Sequence, residues 1–244
     1  MGRTRVKVCG ITRREDAEAA EAAGADALGF VFYAGSSRYV APEVAAAIAA
    51  TIPPFLTRVG LFVNASCAEI VQTVALGFLH TIQLHGNETP AFCQQLCAEL
   101  GTTGPLPTLI KAVRVATRTD LHALSCWPVQ AILLDAKVDN RYGGTGRSFD
   151  WSLLADWPRL LPGEGAAMPW ILAGGLTPDN VAAAIRQVRP YAVDVSSGVE
   201  QAPGRKSAEQ MMRFIQQVRV ADQDWSDEPD SPWRKGAWHD QAGQ

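Results

Sequence analysis

Short runs of apolar residues recur along the chain, and stretches with helical periodicity separate them. Their starts lie roughly 20 to 40 residues apart, which is the span of one strand, one helix and two loops. This spacing predicts parallel strands joined by helical crossovers. We place eight strands near residues 5–9, 26–32, 57–63, 80–84, 108–115, 129–134, 169–173 and 191–196.

Capping residues and prolines mark helix starts between these runs. The segments 12–15 (Thr-Arg-Arg-Glu) and 66–69 (Ser-Cys-Ala-Glu) have the capping-box pattern, in which two side chains satisfy unpaired backbone donors of the first turn. Pro42, Pro90 and Pro178 stand at predicted first helical positions, where a missing N–H costs no hydrogen bond.

Eight strands that alternate with helices predict an α/β protein, a closed (β/α)8 TIM barrel that forms a single domain. We assign residues 1–220 to this barrel. The alternative is an open, doubly wound sheet. Its glycine-rich phosphate fingerprint after the first strand is absent, because the segment 9–12 reads Cys-Gly-Ile-Thr. The barrel is therefore favoured.

The strand and helix pattern stops near residue 221. Residues 221–244 hold six acidic and two basic residues among Ser, Pro and three isolated Trp residues, without an apolar period. We interpret 221–244 as an acidic, disordered C-terminal tail. The alternative is that the three tryptophans anchor a partner.

Composition narrows the classes of function. Hydrophobic residues make up 47% and charged residues 19% of the 244 positions, a soluble globular balance, and the net charge is −3. That charge gives no electrostatic basis for binding nucleic acid or a membrane surface. The chain start lacks the apolar core of a signal peptide, and no run of eighteen apolar residues occurs, so we expect neither export nor a membrane span.

Five cysteines, an odd number, stand in a chain too large to need disulfides, which indicates a reduced cytoplasmic compartment. Cys93 and Cys97 are four positions apart and could present two thiolates on one helix face. No second ligand pair follows at metal-binding spacing, so packing is the favoured interpretation and we expect no metal.

The active site of such a barrel lies at the C-terminal ends of its strands. Cys9 ends the first run, and Lys7 stands on the same face, where an ammonium would favour the proton-accepting thiolate. Asp135 follows an apolar run, which is expected to raise the pKa of its carboxyl group, as a general acid requires. Asp194 stands within an apolar strand. The structural alternatives are packing for Cys9, loop capping for Asp135 and pairing with an interior lysine for Asp194.

Glycine- and serine-rich segments follow the seventh and eighth runs, where such barrels hold phosphate through backbone N–H groups. A predicted helix start at positions 177 and 178 adds to the first of these segments. Neither segment alone is more than a turn signal, but the pair predicts a phosphate site. Its residues are Gly174, Gly175, Ser196, Ser197 and Gly198.

Two further segments lie at strand ends. Arg38 follows the second run and could form a bidentate contact with a carboxylate, although a surface position is the default for a lone arginine. After the sixth run, a glycine-rich segment predicts a hinged lid, with a merely flexible loop as the alternative. The lid residues are Gly143, Gly144, Thr145 and Gly146.

Taken in order, these segments resemble the phosphoribosylanthranilate isomerases of tryptophan biosynthesis. Nine collinear motifs over about residues 1–218 carry this resemblance, which makes it specific. They are the segments 6–11 (VKVCGI), 24–30 (GADALGF), 36–38 (SSR), 60–64 (GLFVN), 83–86 (QLHG), 133–135 (LLD), 143–146 (GGTG), 173–176 (AGGL) and 194–200 (DVSSGVE).

The resemblance implies an Amadori rearrangement of an aminoaldose, N-(5-phospho-β-D-ribosyl)anthranilate, to the corresponding aminoketose phosphate. Asp135 would be the general acid that opens the sugar ring to a Schiff base, and Cys9 the general base that removes the proton from C2. Arg38 would hold the anthranilate carboxylate, while His85 and Asp194 would bind other substrate groups. No metal or organic cofactor is implied, because the substrate forms its own imine.

Departures from the family pattern are few. Ser37 stands where proline is usual, so Arg38 is expected to be less preorganised. The stretch 157–168 looks longer than in compact members, and the tail is extra. The expected partner is a small phosphosugar-anthranilate substrate, with neither nucleic acid nor membrane, for a cytoplasmic monomer or homodimer.

Two other functions remain as alternatives. A sister sugar-phosphate isomerase of the histidine pathway is expected to use two carboxylates and two phosphate sites, whereas Cys9 ends the first run here and one phosphate pair is evident. A non-catalytic barrel that binds a phosphometabolite or a protein could have lost Cys9 or Asp135, and both are present.

Overall fold

The computed structural model describes residues 3–102, 104–114, 127–135, 151 and 168–224. Its main sheet is a closed barrel of parallel strands in sequence order. The strands are β1 (Arg5–Cys9), β2 (Ala27–Val31), β3 (Thr57–Phe62), β4 (Thr81–Leu84), β5 (Thr108–Arg114), β6 (Ala131–Asp135), β7 (Trp170–Ala173) and β8 (Ala192–Val195). Pairing of β1 with both β2 and β8 closes the sheet, so the predicted barrel is confirmed.

Helices pack around the barrel. Those within the described ranges are α1 (Arg14–Ala23), α2 (Pro42–Ala49), α3 (Cys67–Val74), α4 (Pro90–Gly101), α5 (Val181–Val188) and α6 (Ala208–Gln223). Between β8 and α6 lie a 3-10 helix (Ser197–Val199) and an antiparallel hairpin of β9 (Glu200–Ala202) and β10 (Arg205–Lys206). None of these described helices combines the length and apolar character needed to cross a membrane.

Most of the predicted helix starts are confirmed. Pro42 and Pro90 open α2 and α4. Ser66 caps α3 in a capping box: its hydroxyl accepts from the N–H of Glu69, and the Glu69 carboxylate accepts from the N–H of Ser66. These local signals act within one helical turn, which is why they could be seen in the sequence.

Two predicted helix starts are wrong. The cap position of α1 is Arg13, without a capping side chain, because the Thr12 hydroxyl donates instead to the carbonyl of Gly204 at 2.6 Å. Pro178 lies in a turn before α5, which begins at Val181. Asn180 stabilises this turn, because its Oδ1 accepts from the N–H of Thr177 at 2.8 Å.

Strand residues alternate between two buried layers. On β1, Val6 and Val8 face the helices in the large outer core, whereas Lys7 and Cys9 are also buried and face the barrel interior. Burial on both faces explains why the strands appear in the sequence as short apolar runs. The same alternation places a few polar side chains inside the barrel, where the site is built.

The end of the barrel differs from the predicted boundary at residue 220. Helix α6 continues to Gln223, and Ala221 is buried. The Asp222 carboxylate accepts from the Thr4 N–H at 2.9 Å and from the Thr4 hydroxyl at 2.7 Å. Residues 221–224 therefore belong to the barrel and not to a tail, because Ala221 is buried and Asp222 bonds to Thr4, the residue before β1. The tail predicted for 225–244 lies outside the described residues and stays a prediction.

Candidate active site

A cavity of about 450 Å³ opens at the C-terminal ends of the strands. It brings together the predicted site residues that the structure describes. Its lining includes Cys9, Arg38, His85, Asp135, Asp194, Gly174, Gly175, Ser196, Ser197 and Gly198. The predicted lid residues Gly143, Gly144, Thr145 and Gly146 lie outside the described residues.

Cys9 ends β1 and is 5% exposed. Its neighbour in the barrel is Gly29 of β2, where a Cβ atom would lie 2.7 Å from the Cys9 sulfur. The missing side chain at position 29 therefore gives the thiol its room. Lys7, two residues earlier, projects into the same interior, as the period of two predicts.

Burial and the Lys7 ammonium act on the pKa of Cys9 in opposite directions. Burial raises the pKa of the thiol above its ordinary value, and Lys7 lowers it but offsets only part of that rise. Lys7 therefore favours the thiolate in the direction predicted, while burial keeps the pKa of the thiol raised overall. Lys7 also pairs with Asp194, whose negative charge raises the pKa of Cys9 further.

Asp194 pairs with an interior lysine, which is the structural alternative given for it in the sequence analysis. Its Oδ1 lies 3.0 Å from Nζ of Lys7, and both side chains are less than a tenth exposed. Burial lowers the pKa of Lys7, but the charges of Asp194 and Cys9 outweigh burial, so that pKa lies above its ordinary value. Pairing with an interior lysine is thus confirmed for Asp194. The Asp194 carboxylate also lines the cavity, where a substrate could contact it. Its role in substrate binding stays a prediction.

Asp135 ends β6 on another side of the cavity, with a side chain 16% exposed. His85, which follows β4, approaches it: Nε2 of His85 lies 3.3 Å from Oδ2 of Asp135. The other ring nitrogen, Nδ1, lies 3.0 Å from Nε2 of Gln83. The predicted rise in the pKa of Asp135 stays a prediction, as does substrate binding by His85.

Arg38 forms the bidentate contact expected of it, but with a carboxylate of its own chain. Its Nε and Nη2 donate to Glu200 at 2.8 and 2.7 Å, and its side chain is only 25% exposed. The surface alternative is therefore wrong. Gly10, at φ +83°, lies against this side chain, because a Cβ there would come within 2.6 Å of Cδ of Arg38.

A buried lysine joins the same cluster. Nζ of Lys206 donates to Glu200 at 2.8 Å and to the carbonyl of Ser196 at 3.2 Å. Burial raises the pKa of Glu200, but Arg38 and Lys206 outweigh it, so the pKa lies below its ordinary value and Glu200 is ionised. A cation thus lies beside the segment predicted to bind phosphate, and Glu200 neutralises part of its charge.

The predicted phosphate segments lie side by side. Gly174 and Gly175 adopt left-handed backbone conformations, with φ of 92° and 65°. A Cβ at Gly198 would lie 1.9 Å from the carbonyl oxygen of Leu176, so the loops after β7 and β8 touch backbone to backbone. The helix start assigned to positions 177 and 178 begins three residues later, at Val181, which leaves the loop backbones to form the predicted site.

The sequence did not single out Glu200 or Lys206 as functional, although the structure places both beside the cavity. Glu200 closes the motif 194–200, yet its partner Arg38 is 162 positions away. A lysine within a short polar hairpin likewise gives no sign that it is buried. Within the described ranges, no group of three His, Cys, Asp or Glu side chains is arranged to hold a metal ion.

Comparison with known proteins agrees with this geometry. Residues 6–217 match the family described as N-(5'phosphoribosyl)anthranilate (PRA) isomerase. The chain belongs to this family. An N-(5'-phosphoribosyl)anthranilate isomerase from Magnetococcus marinus is 53% identical over 219 residues, which cover 89% of this chain and 96% of that protein. One from Pseudomonas fluorescens is 50% identical over 221 residues, 90% of this chain and 97% of that protein.

Solved structures of the family superpose on this barrel. The crystal structure of phosphoribosyl anthranilate isomerase from Thermotoga maritima has a TM-score of 0.75 and 41% identity, over 89% of this chain and 99% of that one. A phosphoribosyl anthranilate isomerase in complex with reduced 1-(o-carboxyphenylamino)-1-deoxyribulose 5-phosphate has a TM-score of 0.73 and 39% identity, with the same coverage.

Proposed function

We propose that N-(5'-phosphoribosyl)anthranilate is isomerised in this cavity, with Cys9 as the general base and Asp135 as the general acid. The chain is a phosphoribosylanthranilate isomerase of tryptophan biosynthesis, as its family and its relatives establish. The observation that supports these two roles is the single cavity that Cys9, Asp135 and the two glycine-rich loops share. An acid and a base that reach one small substrate from different strands can act at two of its atoms.

Ring opening comes first. The carboxyl group of Asp135 gives its proton to the ring oxygen of the sugar, the bond from C1 to that oxygen breaks, and the nitrogen lone pair forms a Schiff base. Asp135 is left as a carboxylate, which can accept a hydrogen bond from Nε2 of His85. The side chain is still partly exposed to the cavity, so a substrate atom can reach it.

Proton removal from C2 follows. The Cys9 sulfur takes this proton, and the electron pair moves to the Schiff base and forms an enolamine. The enolamine tautomerises to the aminoketose. The acid and base roles require the pair to carry one proton in total, on Asp135, with Cys9 ionised. The Lys7 ammonium favours this ionised form, and burial, which raises the pKa of the thiol, opposes it.

The two anionic ends of the substrate meet different parts of the cavity. Arg38 is the proposed partner of the anthranilate carboxylate, and Glu200 holds its guanidinium through Nε and Nη2. The backbones at Gly174, Gly175, Ser196, Ser197 and Gly198 are the proposed phosphate site. Asp194 and His85 are the proposed partners of the remaining hydroxyl and amino groups.

The decisive experiment follows the loss of anthranilate-type fluorescence as substrate is consumed. Cys9→Ser and Asp135→Asn should each lower kcat by about 10²–10⁴-fold with KM nearly unchanged, because neither group is assigned to ground-state binding. Cys97→Ser, on the half-buried face of α4, is the matched control and should keep full kcat. Full kcat in Cys9→Ser would show that Cys9 is not the general base. Full kcat in Asp135→Asn would show that Asp135 is not the general acid.

We also infer a cytoplasmic enzyme that works as a monomer or homodimer, without a nucleic-acid or membrane partner. A structure of monomers made from the dimeric phosphoribosylanthranilate isomerase of Thermotoga maritima, with a TM-score of 0.72, supports the second of these states. Light scattering of the purified chain measures the mass. A stable mass above that of a dimer would contradict the inference.

A further inference from the structure

One chain of hydrogen bonds crosses the floor of the cavity and links the surroundings of Cys9 to Asp135. Nζ of Lys7 donates to Oδ1 of Asp194 at 3.0 Å and to Oε1 of Gln83 at 2.9 Å. Nε2 of Gln83 lies 3.0 Å from Nδ1 of His85, and Nε2 of His85 lies 3.3 Å from Oδ2 of Asp135. Gln83 is fully buried, so both ends of its amide depend on these partners.

The chemistry of Lys7 fixes the direction of each bond in this chain. An ammonium can only donate, so the amide atom of Gln83 that faces Lys7 must be the oxygen. The amide NH2 of Gln83 therefore faces His85, and Nδ1 of His85 must accept from it. In a neutral imidazole the proton then resides on Nε2, which donates to Oδ2 of Asp135.

We propose that Gln83, held by Lys7, is a positioning residue that keeps His85 in its Nε2–H tautomer, so that the acid proton of Asp135 resides on Oδ1 and not on Oδ2. This inference rests on the proposed role of Asp135 as the general acid. It gives a function to Gln83 and His85 that is separate from contact with substrate.

The opposite tautomer would disable the acid. With the proton on Nδ1, His85 would direct a donor at the amide NH2 of Gln83, and its bare Nε2 would face Oδ2 of Asp135. The carboxyl proton would then be drawn onto Oδ2 and bonded to the ring, where it is not available for the sugar oxygen. The Nε2–H tautomer avoids both the contact between two donors at Gln83 and the loss of the carboxyl proton to the ring.

The same bond strengthens during the reaction. While Asp135 is protonated, Nε2 of His85 donates to a neutral carboxyl oxygen. Once the proton has passed to the sugar, the same N–H donates to a carboxylate, and charge-assisted hydrogen bonds are the stronger kind. The gain appears as charge develops, so losing it should lower kcat more than it changes KM.

Nitrogen-15 NMR of the full chain, labelled at histidine, tests the tautomer directly. The His85 signals are assigned by their loss in His85→Gln. We expect Nε2 to carry the proton and Nδ1 to be bare in the free enzyme. In Gln83→Glu a carboxylate oxygen replaces the amide NH2, so Nδ1 of His85 should become protonated. A proton on Nδ1 in the unmodified enzyme, or unchanged signals in Gln83→Glu, would overturn the proposal.

Kinetics supply the second measurement. Gln83→Glu should lower kcat by about 10–10²-fold, the scale on which orienting partners of ligated histidines act, with KM changed by less than about threefold. The matched control is Gln216→Glu, the same change at an exposed position of α6, which should alter neither kcat nor the His85 signals. Unchanged kcat in Gln83→Glu, or a loss confined to KM, would contradict a positioning role.

Variants of His85 separate this proposal from the one it rests on. His85→Gln can place an amide N–H near the position of Nε2 and should keep more kcat than His85→Leu, which has no donor. Equal loss in the two would count against the donated hydrogen bond. If Asp135→Asn keeps full kcat while the tautomer result holds, the acid role fails and the tautomer assignment stands. If Asp135→Asn loses activity while Nδ1 carries the proton, the reverse is true.

Discussion

Two of the buried lysines, Lys7 and Lys111, lie on barrel strands, and their surroundings differ. Lys111 on β5 donates to the Glu88 carboxylate at 2.6 Å and to the carbonyl of Gly86 at 2.7 Å. Lys7 on β1 donates to the side chains of Gln83 and Asp194, beside the thiol of Cys9. Both ammonium groups are about equally buried, so depth alone does not distinguish them.

The further hydrogen bonds of the groups that accept from each lysine account for the difference between the two surroundings. Glu88 also accepts from the backbone N–H groups of Asn64 and Gly86, so the Lys111 pair ties together the loops after β3 and β4. The Lys7 pair instead leads through Gln83 toward the groups proposed for catalysis. One buried charge therefore bonds to loop backbone through its partner, and the other bonds to side chains beside the groups proposed for catalysis.

The largest effect should come from breaking the Lys111 pair. Glu88→Gln leaves a buried ammonium without its counter-charge and should lower the free energy of unfolding by about 3–5 kcal/mol, measured by denaturant titration. Protein that remains folded should keep kcat within about threefold, because Glu88 does not line the cavity. Asp194→Asn is the counterpart at Lys7 and should lose stability and kcat together. Equal losses of kcat in the two variants would remove the contrast.

The Lys111 pair also predicts acid sensitivity. Burial raises the pKa of Glu88, but Lys111 and the backbone donors outweigh it, so the folded-state pKa is depressed below its ordinary value. A depressed carboxyl pKa contributes stability above the unfolded value, and this contribution is lost as pH falls through the folded value. The free energy of unfolding should therefore fall on acidification less steeply in Glu88→Gln than in the unmodified chain.

A smaller effect is expected on the substrate side of the cavity. Arg38→Met should weaken substrate binding by about 1.5–3 kcal/mol, the scale of a charge-assisted contact, and the loss should fall mostly on KM. An analogue without the ring carboxylate should bind both proteins equally. If that analogue still distinguishes them, Arg38 acts through Glu200 and the neighbouring backbone instead of through the anthranilate carboxylate.

The pH profile sharpens the contrast between the lysines. The active form of the acid–base pair holds one proton. At high pH the pair loses that proton, so that both the carboxyl group and the thiol are ionised and activity falls. The alkaline limb of kcat/KM should therefore report the pKa of Cys9, the group that holds its proton longest. Its raised pKa places that limb above the ordinary thiol value. Lys7→Met removes a charge that lowers this pKa, so the limb should move to still higher pH. The double change Lys111→Met with Glu88→Gln should leave the limb in place.

The smallest effect concerns the end of the chain. Removing 225–244 should leave turnover within about twofold, since an unpatterned polar segment buries little surface. Removing 221–244 takes away the Asp222 carboxylate and should lower the thermal transition, because Thr4 loses the partner of both its N–H and its hydroxyl. Equal transitions in the two truncations would contradict the boundary at residue 224.

The eight strands could be predicted because burial on both faces leaves an apolar run for each one. The site was less visible, for reasons that differ by residue. The partner of Arg38 is 162 positions away, and no local pattern connects them. The period of two placed Lys7 beside Cys9, but it carries no information on depth, or on the carboxylate of Asp194 that shares the ammonium. The hydroxyl of Thr12 was misassigned for the same reason, because a distant carbonyl takes it.

Closure of the barrel depends on the last part of the chain to be synthesised. β1 leaves the ribosome early, yet one of its two neighbours is β8, and Asp222 holds Thr4 across 218 positions. At about 5–20 residues per second, roughly 10–40 s separate the synthesis of β1 from that of β8. Throughout this time one edge of β1 has no strand to pair with, which makes it open to pairing with other chains. Nascent chains that stop before residue 192 therefore keep an unpaired edge of β1, which is prone to aggregation and which β8 covers in the finished barrel.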